Sequence, residues 1–209
     1  AIVSTLLVGF IGHAQAQHML DVQPMKLAAM EGLWENEQPA GLSLFTIGSL
    51  DGSKEIWSIR IPYALSLLAC NNLECEVLGM NELQSAYEAE FGSGDYTPPW
   101  FITYWSFRGM VGAGTLMVVL AAYVLFVVLK NRHDKDRRFI KFLPWAIALP
   151  YLANTTGWLL TEVGRFPWVV YGLVKLENGI SVAVSSIELL ITLIGYTVVY
   201  AVLILATLY

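Results

Sequence analysis

The sequence predicts an all-α fold: a polytopic transmembrane helix bundle carrying an extracytoplasmic loop subdomain. Composition is the first reason. Of the 209 residues, 56% are hydrophobic and only 14% charged, and the mean hydropathy is +0.57. Soluble domains average about 45–50% apolar and about 25% charged residues. The second reason is the spacing of charge. Gly109–Leu129, Phe142–Thr161 and Leu189–Tyr209 are uncharged runs of 21, 20 and 21 residues, and a helix needs about 20 apolar residues to cross the hydrocarbon layer. A net charge of −5 argues against a nucleic-acid partner. Three His and two Cys are too few for a zinc or iron–sulfur framework.

In chain order, residues 1–12 are apolar but short. No basic stretch precedes them, so they read as the end of a truncated transmembrane helix rather than a signal peptide. Residues 13–99 hold twelve of the seventeen acids and three bases, Lys26, Lys54 and Arg60. Five prolines punctuate them. This is an extramembrane loop in which Lys26–Trp34 and Asn81–Phe91 read as helices and Glu55–Arg60 as extended. Residues 100–130 form a transmembrane helix, 131–141 a short loop, and 142–163 a second full span. Residues 164–180 are again extramembrane, and 181–209 form the last span. Six of the twelve Lys and Arg lie in Lys130–Lys141. The positive-inside rule puts that loop in the cytoplasm and residues 13–99 outside. Trp100, Tyr104, Trp105, Trp168 and Tyr171 fit an outer aromatic belt.

Charges inside spans are costly and mark function by default. Asn154, Trp158, Glu162 and Arg165 fall on one helix face by their four-, four- and three-residue spacing. Such a stripe faces protein or a polar cofactor; an interhelical ion pair accounts for it as well as a ligand does. Met110 alone is gap filler in an apolar helix or a haem ligand. Arg108 either snorkels outward or reaches a haem propionate. Lys26 and Glu31 are five residues apart, too far round a helix to pair, and are either solvated or open to a ligand. Cys70 and Cys75, on the outer side, are a disulfide or two free thiols.

Three motifs carry a resemblance. Asn154-Thr-Thr-Gly-Trp-Leu-Leu-Thr-Glu-Val-Gly-Arg-Phe-Pro-Trp168 resembles the N-x-x-G-W-x-x-x-E-x-G-R-Q-P-W signature of subunit I of cytochrome bd-type quinol oxidases. Gln23-Pro-Met-Lys-Leu-Ala-Ala-Met-Glu31 with Trp34 resembles the start of the family's quinol loop, and Phe107-Arg-Gly-Met-Val111 its Phe-Arg-x-Met-Val motif. The three occur in the family's order, and they cover the carboxy-terminal half of its subunit.

The resemblance implies a terminal oxidase in a bacterial or archaeal cytoplasmic membrane, oxidising quinol outside, reducing O2 to water and contributing to the proton motive force. It implies residues 13–99 as the quinol-binding loop, with Lys26 and Glu31 serving quinol oxidation. Met110 is then the iron ligand of a low-spin haem b and Arg108 its propionate partner. Glu162 is an iron ligand at the high-spin pair, haem b and haem d, with Trp158 and Arg165 in the same pocket. The implied partners are an amino-terminal half of subunit I, as an unmatched segment or a separate chain, together with subunit II, small accessory subunits and membrane lipids. Two departures stand out. Phe166 replaces the usual Gln, and His13, His18 and His133 match none of the family's histidine ligands. A degenerate oxidase-like subunit that only stabilises a complex is one alternative. A non-haem scaffold or transporter subunit is another.

Overall fold

The computed structural model describes residues 2–49, 52–130, 141, 143–179 and 183–208. Helix α1 is Ile2–Val22 and α2 is Pro24–Glu31; strands β1 and β2 are Leu42–Gly48 and Glu55–Ile61. Three helices follow: α3 Ala64–Cys70, α4 Met80–Phe91 and α5 Trp100–Leu129. A 3-10 turn at Leu143–Ile147 leads into α6, Ala148–Val163. Strands β3 (Trp168–Val170) and β4 (Val174–Lys175) precede α7, Ser186–Leu208.

The fold is mostly helical rather than purely so. β1 and β2 form an antiparallel hairpin, and β3 and β4 a second, smaller one. The first contains the stretch expected to be extended, Glu55–Arg60. The second turns at Gly172, whose φ of +71° is a conformation glycine adopts without penalty. Helix α1 continues ten residues past Gly12, to Val22. The polar side chains after Gly12 mark a change of surroundings, and nothing there breaks a helix. The break comes at Gln23, which sits at φ −143° because Pro24 disfavours the helical region for the residue before it. Pro24 then opens α2 at a position that needs no N–H donor.

Among the described residues, α5 and α7 are the helices long and apolar enough to cross a membrane. The third expected span divides into the 3-10 turn and the 16-residue α6. Together they extend about 34 Å at the usual rises of the two helix types, still a bilayer's hydrocarbon thickness. Helices α5 and α6 pack closely because glycines lie at the seam. A Cβ on Gly109 would stand 3.1 Å from Thr156, and one on Gly157 would stand 3.0 Å from the Met110 sulfur. Small residues of this kind let helix backbones approach in membranes. The basic loop's residues 131–140 lie outside the described residues.

Helix α2 is the keystone of the part between α1 and α5. Every residue from Met25 to Glu31 is buried. Met25, Ala28 and Ala29 face one apolar cluster, with Trp34, Tyr87, Tyr96, Tyr104 and Trp168. Leu27 and Met30 face another, with Leu33, Leu65, Val77 and Leu160. A helix that is apolar on several sides belongs inside. Burying Met25, Leu27 and Met30 stabilises by about 1.5–3 kcal/mol each, which draws the neighbouring Lys26 and Glu31 in with them. The helix stops at Gly32, φ +60°, where the N–H groups of Gly32 and Leu33 bond back to the Ala29 and Ala28 carbonyls. Cys70, at the end of α3, is disulfide-bonded to Cys75.

Candidate functional site

The site is built around the two charges of α2. Neither is solvated: Lys26 is 8% exposed and Glu31 2%. They point to different helices, α5 and α6, as their five-residue separation requires.

Glu31 meets α5. Its Oε2 accepts a hydrogen bond from Nη2 of Arg108 at 2.6 Å. The guanidinium lies over the rings of Tyr104 and Phe107, at 4.8 and 5.0 Å. The hydroxyl of Ser43 bonds to that of Tyr104 at 2.8 Å and to that of Thr46 at 2.6 Å, so β1 and α5 close over the carboxylate together. Burial pushes the Glu31 carboxyl above the ordinary carboxylate range. The Arg108 charge and hydrogen bond, the Ser43 amide and the Arg60 charge pull it back only in part.

Arg60 is a member of the site that no sequence motif marks. It donates to the Gly32 carbonyl at 2.7 Å and to Glu55 at 2.5 Å, and Glu37 lies 3.7 Å from its Nε. It therefore holds the end of α2 beside Glu31. Its rarity was the available signal, as one of three bases among twelve acids in residues 13–99. Ser43 carried no signal, and Tyr104 signalled only an aromatic belt, since isolated hydroxyls announce no partner before strand and helix meet.

Lys26 meets the end of α6. Its Nζ lies 3.5 Å from the Thr161 carbonyl, and its methylenes run against Gly164, where a Cβ would stand 3.1 Å from Cγ. Burial pushes the lysine below its ordinary pKa, and the nearby Arg165 charge pushes the same way; the Glu162 carboxylate opposes both. Glu162 and Arg165 form a direct ion pair, with side chains 36% and 39% exposed. Trp158, one turn back, is 62% exposed. The stripe of α6 thus faces outward, and its ion pair is a local one between residues three apart rather than the expected interhelical pair.

Met110 is half-buried and packs against the second apolar cluster, its sulfur toward Gly157. The structure therefore joins Glu31 to Arg108, Lys26 to the Glu162–Arg165 end of α6, and Met110 to the α6 backbone beside Trp158. It does not join Lys26 to Glu31. Among the described residues no group of three or more His, Cys, Asp or Glu could hold a metal ion. A haem would make a different demand, a donor for its iron and a cation for a propionate. Met110 and Glu162 are suitable donors. Nε of Arg108 is buried without a hydrogen-bond partner, a free donor beside the one given to Glu31.

The sequence matches, over residues 1–209, the family described as cytochrome bd terminal oxidase subunit I. It is 41% identical over 197 residues to a Bacillus subtilis (strain 168) protein named cytochrome bd ubiquinol oxidase subunit 1, covering 94% of this chain and 42% of that protein. A second protein of that organism, named putative cytochrome bd menaquinol oxidase subunit I, is 33% identical over 99% of this chain and 44% of its own length. The structure superimposes on the bd oxidase from Geobacillus thermodenitrificans with a TM-score of 0.80 at 30% identity, over 99% of this chain and 45% of that one. The chain thus spans less than half the length of these relatives. Its full-length match, its identity to them and its shared fold place this chain in the cytochrome bd terminal oxidase subunit I family.

Proposed function

We propose that the chain is the carboxy-terminal part of the catalytic subunit of a bd-type quinol:oxygen oxidoreductase, a terminal oxidase that contributes to the proton motive force. The observation that carries this is the burial of Glu31 against Arg108, two residues from Met110. It brings a buried carboxylate of α2 against α5, the helix that also carries the candidate ligand Met110.

Quinol oxidation releases two protons and two electrons. Glu31, held above the ordinary carboxylate range, is suited to take a proton from a quinol hydroxyl. Arg108 keeps the carboxylate oriented and offsets its charge once the proton leaves. Lys26, destabilised as a cation by burial, is suited to donate a hydrogen bond to a quinol or quinone oxygen. Met110 would hold a low-spin haem b, Arg108 its propionate, and Glu162 the high-spin haem b and haem d pair, flanked by Trp158 and Arg165. Bound there, these groups supply the one-electron and oxygen chemistry that no side chain has.

The reading includes a topology. Helices α5, α6 and α7 cross a bacterial or archaeal cytoplasmic membrane, α1 ends another span, residues 13–99 lie outside, and Lys130–Lys141 lies inside. It includes partners: an amino-terminal half of subunit I, subunit II and small accessory subunits. The amino-terminal half belongs to the reading because this chain covers 42% and 44% of the lengths of the two relatives named above.

The test is Glu31→Gln in the assembled complex. Gln keeps the shape and accepts no quinol proton. Quinol turnover should fall by an order of magnitude or more while the reduced haem spectrum keeps its intensity. Turnover equal to the parent at saturating quinol would remove Glu31 from the reaction.

A further inference from the structure

The β1–β2 hairpin is built with its faces reversed. Its register pairs Ser43 with Arg60 and Thr46 with Ser58. These polar residues turn toward the protein: Ser43 and Thr46 are 1% and 0% exposed, and Arg60 reaches the Gly32 carbonyl. The alternate pairs, Phe45 with Ile59 and Ile47 with Trp57, turn outward. They are 38%, 48%, 44% and 50% exposed. An antiparallel sheet with one face in water is apolar within and polar without. This hairpin is the opposite, so its outer face is shaped for something other than water.

The outer face is continuous with a membrane helix. The ring of Phe45 lies 6.1 Å from that of Trp57 and 5.1 Å from that of Trp105 on α5. Trp105 in turn lies 6.4 Å from Phe101, itself 61% exposed. These α5 residues occupy the opening turns of a helix with the length and apolarity of a span. Aromatic side chains at the ends of spans sit at the level of the lipid headgroups.

We propose that the outer face of the β1–β2 hairpin is a membrane-interface anchor, resting on the outer headgroup–acyl boundary beside α5. The occupant is lipid. Charge does not oppose this, because Arg60 and Glu55 neutralise each other at 2.5 Å. Backbone chemistry sets the depth. A two-stranded hairpin has free N–H and C=O groups along its outer edges, and these cannot enter hydrocarbon. The hairpin therefore lies in the interface, where Trp57 has both an apolar surface and water for its N–H. Seated there, it presses Ser43 and Arg60 onto Tyr104 and the end of α2.

The inference rests on α5 crossing the membrane, and the experiment separates the two. Single nitroxide labels are placed by Ile59→Cys and Trp57→Cys in the full complex, reconstituted in phosphatidylcholine–phosphatidylglycerol vesicles. Cys70 and Cys75 are paired and take no label. Leu116→Cys, on an exposed position of α5, is the lipid reference, and Glu82→Cys, on exposed α4, is the water reference. Collision with oxygen is compared with collision with a water-soluble nickel chelate. The Ile59 and Trp57 labels should favour oxygen several-fold more than the Glu82 label does, approaching Leu116. Nickel access equal to that at Glu82 would overturn the anchor in favour of a solvated face. Shielding from both agents would overturn it in favour of a covering polypeptide. A Leu116 label without oxygen preference would overturn the crossing of α5, and the anchor with it.

Discussion

Arg108 and Glu31, 77 residues apart, form a hydrogen-bonded ion pair at 2.6 Å in which the carboxylate is only 2% exposed. One partner belongs to the short buried helix α2 and the other to the long apolar helix α5. The pair is thus the point where the loop is electrically fastened to the candidate membrane domain. Removing one member of a buried pair leaves an uncompensated charge and typically costs about 3–5 kcal/mol.

Glu31 should give quinol turnover a distinctive pH dependence. Its folded pKa lies above the ordinary value because of burial. The acceptor form is the carboxylate, so turnover should rise with pH through that raised pKa, at a pH above the usual carboxylate range. The same shift makes its stability contribution fall as pH rises from the unfolded pKa through the folded one, the reverse of an ordinary ion-paired acid. Arg108→Gln removes the largest influence pulling the pKa down, so the rising limb should move to higher pH. A limb that stays in place in Arg108→Gln would show that another group sets it.

Met110→Leu should remove or convert the low-spin haem while the protein remains in the membrane. Leu keeps the volume, so packing against Gly157 should lose less than about 1.5 kcal/mol. Only the thioether is lost. The reduced-minus-oxidised spectrum reads the result, and an unchanged low-spin band would eliminate Met110 as a ligand.

Glu162 and Arg165 pose a sharper choice, because their ion pair is present. A purely structural pair should survive exchange of its charges, Glu162→Arg with Arg165→Glu. A ligand should not, because a guanidinium has no lone pair for iron. High-spin haem content and oxygen consumption should both be lost in the exchanged variant. Their recovery would assign the pair to structure alone.

Gly164 should tolerate no side chain. A Cβ there would stand 2.5 Å from the Leu160 carbonyl and 3.1 Å from Lys26 Cγ. Gly164→Ala should cost about 1–3 kcal/mol by overpacking and displace Lys26. KM for quinol should rise several-fold, and a lower thermal midpoint of the complex should accompany it. Parental values of both would mean that the end of α6 yields freely.

The length and apolarity of α5 and α7 were legible as uncharged runs of span length. The haem-side candidates rest on motif order. What spacing could not supply was the pairing. Five residues between Lys26 and Glu31 show that they do not meet each other, but not that each is buried against a different helix. The sequence offers Arg108 a propionate or the interface, and the fold also gives it Glu31, which lies on a segment distant in the chain. Polarity alone puts the end of α1 at Gly12, whereas a helix ends where its backbone is obstructed, here at Pro24. The weak alternation of Glu55–Arg60 could not reveal the inverted hairpin, since which face is inner depends on β1 and Tyr104.

The burial of α2 on all sides has a mechanical meaning. Lys26 and Glu31 are separated by about 7.5 Å of helix rise, and the segment between them has nowhere to bend, enclosed by two apolar clusters and closed by the Gly32 turn. It is a short strut with a charge near each end, one set against α6 and the other against α5. A shift of the strut along its axis at Lys26 is therefore also a shift of Glu31 against Arg108.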